Sequence, residues 1–430
     1  VMDKLALQLN DVLKETSIYS LLSDYGTRMY VPKGIIVQSA EAKQKAKRFN
    51  ATIGVALEKG SPMFIPSMKA QFADTMAPGE IFPYAPMGGV MDLRKKWLED
   101  MKEKNPSLKD KAVSLPVVCS GLTNALSIVC SIFLDKDDSV VLPDMYWENY
   151  NLILDEQRQA KKVLFPVFND NGFNVEALDK AIESVKGNKV AIILNFPNNP
   201  TGYTPTNKES EAIAQVLKKH ADSGKKLLVV SDDAYFGLFF EEDTCTESLF
   251  AKVCDLSPNI LGVKCDAATK EEMVWGFRIA FITYGCKGFT DAQYDALVQK
   301  TMGAIRGTLS NCTMSGQNIL LKGMKAQNYK EDKKAGIAKV GERYFALKKA
   351  LEKYKDKTCL KPFPFNSGYF MSFQCQCKAE DLRQHLLEKY GTGVIRLDDN
   401  KIRLAFSSVD IENIEALVDT VYEGAEDLCK

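Results

Sequence analysis

At 430 residues the chain exceeds what one hydrophobic core usually holds, so two domains are expected. Its 56 basic side chains are matched by 56 acidic ones, and this zero formal charge gives no support to a nucleic-acid or acidic-membrane partner, which would favour a basic excess. No apolar run approaches the roughly 20 residues that a bilayer span needs, and the start VMDKLALQLNDVLKE carries Asp3 and Lys4 too early for a signal-peptide core.

The first 45 or so residues read as helical, and segment 1–65 is expected to pack on the second domain. Between about 111 and 290 short apolar runs alternate with helical patterns. SVVLPD (139–144), KKVLFPV (161–167), VAIILNF (190–196), KLLVVSDD (226–233), NILGVKC (259–265) and RIAFITYG (278–285) read as strands. Most are continuous apolar runs, as parallel strands covered on both faces require. TNALSIVCSIFL (123–134) and ESEAIAQVLKKHADSG (209–224) read as helices between them. This alternation predicts a layered α/β domain, placed at 66–327, with ligands at the carboxyl ends of its strands. From 328 the texture changes to a long charged amphipathic helix (329–355), the strand runs GYFMSFQC and KIRLAFSS, and a closing helix, which predicts a smaller α+β domain over 328–430.

Eleven scattered cysteines read as reduced buried thiols of a cytoplasmic protein. The one close pair, Cys375 and Cys377, has the wrong spacing for a zinc knuckle, and no metal site is expected. Only two histidines, His220 and His385, are present, both in polar helical contexts. A Ser-His-Asp hydrolase or a His-ligated metal enzyme is hard to build from them.

Five stretches at strand ends could carry chemistry. SGLTNALSIV (120–129) enters a helix through a flexible glycine, an arrangement that binds phosphate on free amides but that many ordinary helices share. DMYWENY (144–150) puts Tyr146, Trp147 and Tyr150 at the same edge, for stacking on a planar ring or for core packing. NFPNNPTG (195–202) is a rigid turn that holds an Asn side chain, either facing a cleft or closing an Asx-turn before a helix. In VVSDDAYFG (229–237) Asp232 or Asp233 ends a buried run and needs a cation or a proton, with Tyr235 close by; a helix cap at Asp233 is the plain alternative. In TKEEMVWGFRIAFITYG (269–285) Lys270 would form a Schiff base if desolvated, and Arg278 suits a phosphate; alone, Lys270 reads as a surface lysine. Together the five supply a phosphate cradle, a stacking aromatic, an amide, an acid with a phenol, and an amine with an arginine, which are the needs of pyridoxal 5′-phosphate.

The ordered motifs NPTG, D-x-A-Y and K-x₇-R, within a span from YAPMGG (84–89) to KIRLAF (401–406), resemble the fold-type I aminotransferases of class I/II, nearest to the aspartate aminotransferase group. The resemblance implies an α/β large domain with a mostly parallel seven-stranded sheet between helices, a smaller α+β domain, and a homodimer with shared sites. It implies Lys270 as the cofactor-binding lysine and proton shuttle, Asp232 as partner of the pyridine nitrogen, and Asn199 and Tyr235 as donors to the 3′-oxygen. Trp147 stacks on the ring in this scheme. Gly121, Leu122, Thr123, Thr269 and Arg278 hold the phosphate, with Tyr84 reaching it from a second subunit. Substrate binding falls to Arg403, which clamps the α-carboxylate, with Asn199 and Gly54. Arg306, in IRGTLSN (305–311), resembles the arginine that crosses the dimer to a distal carboxylate. The expected substrates are an amino acid of the aspartate or glutamate type and a 2-oxo acid. Lyases, and aminotransferases of aromatic or aliphatic substrates, share these cofactor residues. Three departures stand out: Ala267 where the family has Ser or Thr, a phosphate turn one residue longer, and Glu271 and Glu272 directly after the lysine, which the sequence does not account for.

Overall fold

The computed structural model describes residues 2–429, apart from 15, 17–18, 21, 31–33, 73–75 and 171. The apolar runs join in one seven-stranded sheet: β1 (Val117–Cys119), β2 (Ser139–Pro143), β3 (Lys161–Phe165), β4 (Lys189–Asn195), β5 (Lys226–Asp233), β6 (Ile260–Ala267) and β7 (Ala280–Gly285). Their order across the sheet is β1-β7-β6-β5-β4-β2-β3. Neighbours are parallel except for β7, which runs antiparallel to both β1 and β6. The continuous apolar run at 280–285 marks a strand covered on both faces and says nothing of its direction.

Successive residues feed two cores. Along β4, Val190, Ile192 and Leu194 face one and Ala191 and Ile193 the other; along β5, Leu227 and Val229 oppose Leu228 and Val230. Helices α1 (Met91–Lys104), α2 (Leu122–Phe133) and α5 (Asp291–Thr308) serve one side, and α3 (Val175–Ser184) and α4 (Asn207–Asp222) the other. Thr206 caps α4 with a reciprocal bond pair to Glu209, and Thr290 and Gln293 cap α5 in the same way.

Helix α6 (Met314–Lys325) leads into α7 (Tyr329–Leu351), whose 23 residues run toward a second, antiparallel sheet. That sheet comprises β8 (Leu360–Pro362), β9 (Phe370–Cys375), β10 (Ile395–Arg396) and β11 (Lys401–Ala405) in the order β8-β9-β11-β10. Helices α8 (Ala379–Tyr390) and α9 (Ile414–Leu428) pack beside it. Near the start of the chain, Gln38 exchanges hydrogen bonds of 3.1 and 2.6 Å with the Arg396 backbone, and Glu41 pairs with Arg383 at 2.8 Å. Arg28 instead donates to the Glu156 carbonyl at 3.2 Å, beside the large sheet. Phe49–Asn50 pairs with Thr392–Gly393, and the Ala405 amide bonds the Ala51 carbonyl, so the chain near Thr52 lies against the end of β11.

All eleven cysteines are free, and nine are buried, where a thiol acts as a small apolar group. His220 and His385 are bound to Asp179 and Asp427. Among the described residues no helix is long and apolar enough to cross a membrane.

Candidate active site

The parallel strands end along one edge, and because β7 runs the other way its start reaches that edge too. Leu122 and Thr123 follow β1, Trp147 follows β2, and Asn195 and Asn199 close β4. Asp232, Ala234 and Tyr235 close β5, Thr269 and Lys270 follow β6, and Arg278 precedes β7. These residues line one cleft of about 460 Å³.

Asp232, 2% exposed, faces the cleft from the face of β5 that carries Leu228 and Val230. Its carboxylate accepts a short hydrogen bond from the Tyr150 hydroxyl and one of 3.2 Å from the Ala234 amide. Burial pushes the acid's pKa up against these donors, so it gains from a cationic neighbour. In-register pairing of β4 with β5 sets Asn195 beside Asp232: Asn195 donates to the Asp232 carbonyl at 2.8 Å and accepts from the Asn199 amide at 2.7 Å. Asp233 points to the opposite face. There it pairs with Lys264 at 2.8 Å and accepts from Ser248 at 2.6 Å, while Lys264 also meets Asp266 at 2.9 Å. Of the two acids left open by the sequence, Asp232 is the one in the cleft, and Asp233 belongs to a buried ion cluster rather than to a helix cap.

Lys270 sits on the single helical turn Ala268–Glu271. Its Nζ lies 4.8 Å from the Tyr235 ring centroid. Burial lowers its pKa to about 8, with Arg278 adding to the effect and Asp232 opposing it. A lysine in this state has an accessible free amine near neutral pH. Tyr235 is buried against Tyr369 and Phe370, and burial pushes its phenol up.

At the other end of the cleft Gly121 adopts φ 87° and opens α2, whose first turn has no side-chain cap. A Cβ at Gly121 would fall 2.2 Å from Arg278 Nη2, so glycine is what lets the guanidinium approach the helix start. Among the described residues Thr269 Oγ1, buried at the same end, has no partner. An uncapped helix start, an arginine and an unpartnered hydroxyl suit a phosphate, and the Asp232 end suits a cationic ring nitrogen. The residues present therefore fit pyridoxal 5′-phosphate. Ala267 is buried and offers no hydroxyl, whereas Thr269 lines the cleft. Trp147 lies edge-on to Tyr150, with ring centroids 5.5 Å apart.

Arg403 reaches the mouth of this group from β11. Its Nη1 donates to Asn199 Oδ1 at 2.9 Å, its guanidinium lies 4.0 Å above the Phe370 ring, and its buried Nε has no partner among the described residues. Burial lowers its pKa to about 10, with Tyr235 and Glu148 favouring the charge. Nη2 lies 3.4 Å from the Thr52 carbonyl, two residues before Gly54, whose Cα faces open space. Tyr84 is 89% exposed, and Arg306 is exposed and bonded to Ser310; neither lines the cleft.

Three features escaped the sequence. Tyr150, by sequence a stacking ring or core residue, packs in the core and in addition bonds Asp232. Asn195 braces both Asp232 and Asn199, and its one legible signal was a polar residue closing a buried run. The acids after Lys270 find cations far along the chain: Glu271 meets Lys104 and Lys333, and Glu272 meets Lys333.

The profile of the family described as aminotransferase class I and II matches residues 52–421. The aspartate aminotransferase of Bacillus subtilis (strain 168) is 30% identical over 207 residues, which cover 46% of this chain and 47% of that one. The chain thus spans about half the length of this and similar curated relatives. An aminotransferase from Anaerococcus prevotii superposes with a TM-score of 0.85 at 25% identity, over 95% of this chain and 100% of that one. The α-aminoadipate aminotransferase of Thermus thermophilus, in complex with N-(5′-phosphopyridoxyl)-L-leucine, superposes with a TM-score of 0.75 at 19% identity, over 96% of this chain and 99% of that one. The chain belongs to the class I and II aminotransferase family.

Proposed function

We propose that the protein is a pyridoxal 5′-phosphate-dependent aminotransferase that moves an amino group from an amino acid to a 2-oxo acid in two half-reactions. The observation that carries this reading is a desolvated amine, Lys270, facing a cation-seeking acid, Asp232, in a cleft whose far end is built for a phosphate. When bound, the cofactor supplies an aldehyde carbon that captures an amine and a ring that takes up the electron pair left at the substrate Cα.

The chain's own groups divide the remaining work. Lys270 would hold the cofactor between turnovers, and its free amine is the base placed to move the proton of the substrate Cα. Asp232, oriented by Tyr150 and the Ala234 amide, keeps the ring nitrogen protonated. Asn199 and Tyr235 would donate to the 3′-oxygen, Trp147 would cover the ring, and Arg278 with Thr269 and the Gly121–Leu122–Thr123 turn would grip the phosphate. Arg403 offers a two-pronged guanidinium to the substrate α-carboxylate, with Asn199 holding one prong in place and Gly54 leaving room beside it.

Substrate class and assembly extend this reading. The Bacillus subtilis relative is an aspartate aminotransferase, and Arg306 is the cation proposed to select a distal carboxylate. Arg306 and Tyr84 are exposed here, and as site residues they require a second copy of the chain; a homodimer with shared sites meets that need. We place the large domain at 66–327 and the small one at 328–430, with 1–65 packed on the latter except where Arg28 bonds the Glu156 carbonyl of the former, in a cytoplasmic enzyme. Half-reactions of the purified holoenzyme with a panel of amino acids test the substrate class. Aspartate and glutamate are expected to react fastest, with the preference lost in Arg306→Ala. A preference for phenylalanine or leucine that survives Arg306→Ala contradicts the dicarboxylate assignment. Release of pyruvate and ammonia in place of a new amino acid contradicts transamination.

A further inference from the structure

Lys270 rides on a turn of four residues, too short to hold its shape through its own backbone bonds. The two acids that follow it reach outward to fixed cations. Glu271, 3% exposed, bonds the ammonium of Lys104 at the end of α1 and lies 3.2 Å from Lys333 Nζ on α7. Glu272, fully buried, meets Lys333 at 2.6 Å and accepts a hydrogen bond of 2.6 Å from Tyr329. Burial pushes the Glu271 carboxyl up, but Lys104 and Lys333 outweigh it and hold it well below the usual carboxylate range. The result is a neutral box of two acids and two ammonium groups, none of which lines the cleft.

Stability alone does not explain the box. Glu271 Oε2 and Glu272 Oε2 are buried without partners among the described residues, and well-packed apolar side chains would fill the same space without that deficit. Its geometry offers another reason. Helix α7 runs on from Lys333 to Arg343, which bonds the Ser407 carbonyl two residues beyond β11, the strand of Arg403.

We propose that Glu271 and Glu272, gripped by Lys104, Lys333 and Tyr329, are positioning residues that aim Lys270 into the cleft and tie its turn to the helix that also holds the Arg403 strand. Both roles presuppose that Lys270 is the cofactor-binding amine.

The test compares the wild type with Lys333→Met, Glu272→Gln and the charge-neutral pair Lys333→Met/Glu272→Gln, each as holoenzyme and as apoprotein. Lys333→Met leaves a net negative charge behind Lys270, so the pH midpoint of the visible absorbance of the lysine-bound cofactor rises. Glu272→Gln leaves a net positive charge and lowers it, and the pair restores it. Positioning predicts that turnover falls about tenfold or more in all three, the pair included, with KM unchanged. It also predicts faster amide exchange over 268–274 in the apoproteins, with β4 as in the wild type. Lys333→Arg, which keeps the charge and the reach, is expected to stay within a few-fold of wild-type turnover and carries the test should Lys333→Met not fold. Turnover that recovers with the midpoint in the pair overturns positioning in favour of a charge effect. Unchanged turnover and exchange in every variant overturns it outright. A wild type with no Lys270-dependent absorbance contradicts the cofactor reading instead, and the exchange rates of the apoproteins then decide the anchoring of the turn by themselves.

Discussion

Asp232 and Asp233 are neighbours at the end of β5, at 2% and 3% exposure, yet they stand in opposite situations. Asp233 is matched on its own face by the Lys264 ammonium and the Ser248 hydroxyl. Asp232 has hydrogen-bond donors from Tyr150 and Ala234 but no ion pair among the described residues, and it faces a cleft. Burial of a charge therefore does not by itself mark function. An acid already matched by a cation is part of the scaffold, whereas an acid held in place by neutral donors is set for a cationic ligand. The pleat separates the two, since adjacent residues of a strand project to opposite faces.

Exchanging the two acids for amides is expected to separate turnover from stability. Asp232→Asn is expected to lower turnover by about 10³-fold, ~4 kcal/mol at the barrier, with the melting midpoint of the apoprotein little changed. Asp233→Asn reverses the pattern: it leaves the Lys264 ammonium with Asp266 alone and costs about 3 kcal/mol of stability in chemical denaturation, while the folded fraction keeps its turnover. Arg403→Lys replaces a planar fork by a point charge and is expected to weaken substrate binding by roughly 2 kcal/mol, read as a rise in KM. Tyr150→Phe removes a donor from Asp232 without changing ring packing, and a loss of about 1.5 kcal/mol in kcat is expected, with cofactor still bound. The pH dependence of cofactor attachment is the mildest effect. Burial lowers the Lys270 pKa to about 8, below an ordinary lysine, and only the deprotonated amine attacks an aldehyde. The attachment rate of the apoprotein should thus climb with pH, by about tenfold per unit, and flatten above pH ~8.

Much of this arrangement was legible in the sequence because its signals are local. Continuous apolar runs gave β2 to β7, with boundaries shifted by up to two residues. Chemistry-bearing residues at the ends of those runs converge because a layered α/β sheet brings its strand ends to one edge, and Asn199, Asp232, Lys270 and Arg278 meet there. Long-range partners were not legible. Tyr150 lies 82 residues from Asp232 and Lys333 lies 61 from Glu272, and neither periodicity nor turn chemistry encodes such pairings. Strand direction was hidden as well, since β7 has the same apolar run as its parallel neighbours. Asn195 sat inside the NFPNNPTG stretch, but its role depends on the register between β4 and β5.

One amine, that of Lys270 set opposite Asp232, is expected to hold the cofactor. Incubation of the apoprotein with pyridoxal 5′-phosphate, reduction with borohydride and peptide mapping by mass spectrometry test it directly. A single phosphopyridoxyl group on Lys270, absent from Lys270→Ala, is the expected result. Stoichiometric labelling of another lysine, or none on Lys270, would contradict it.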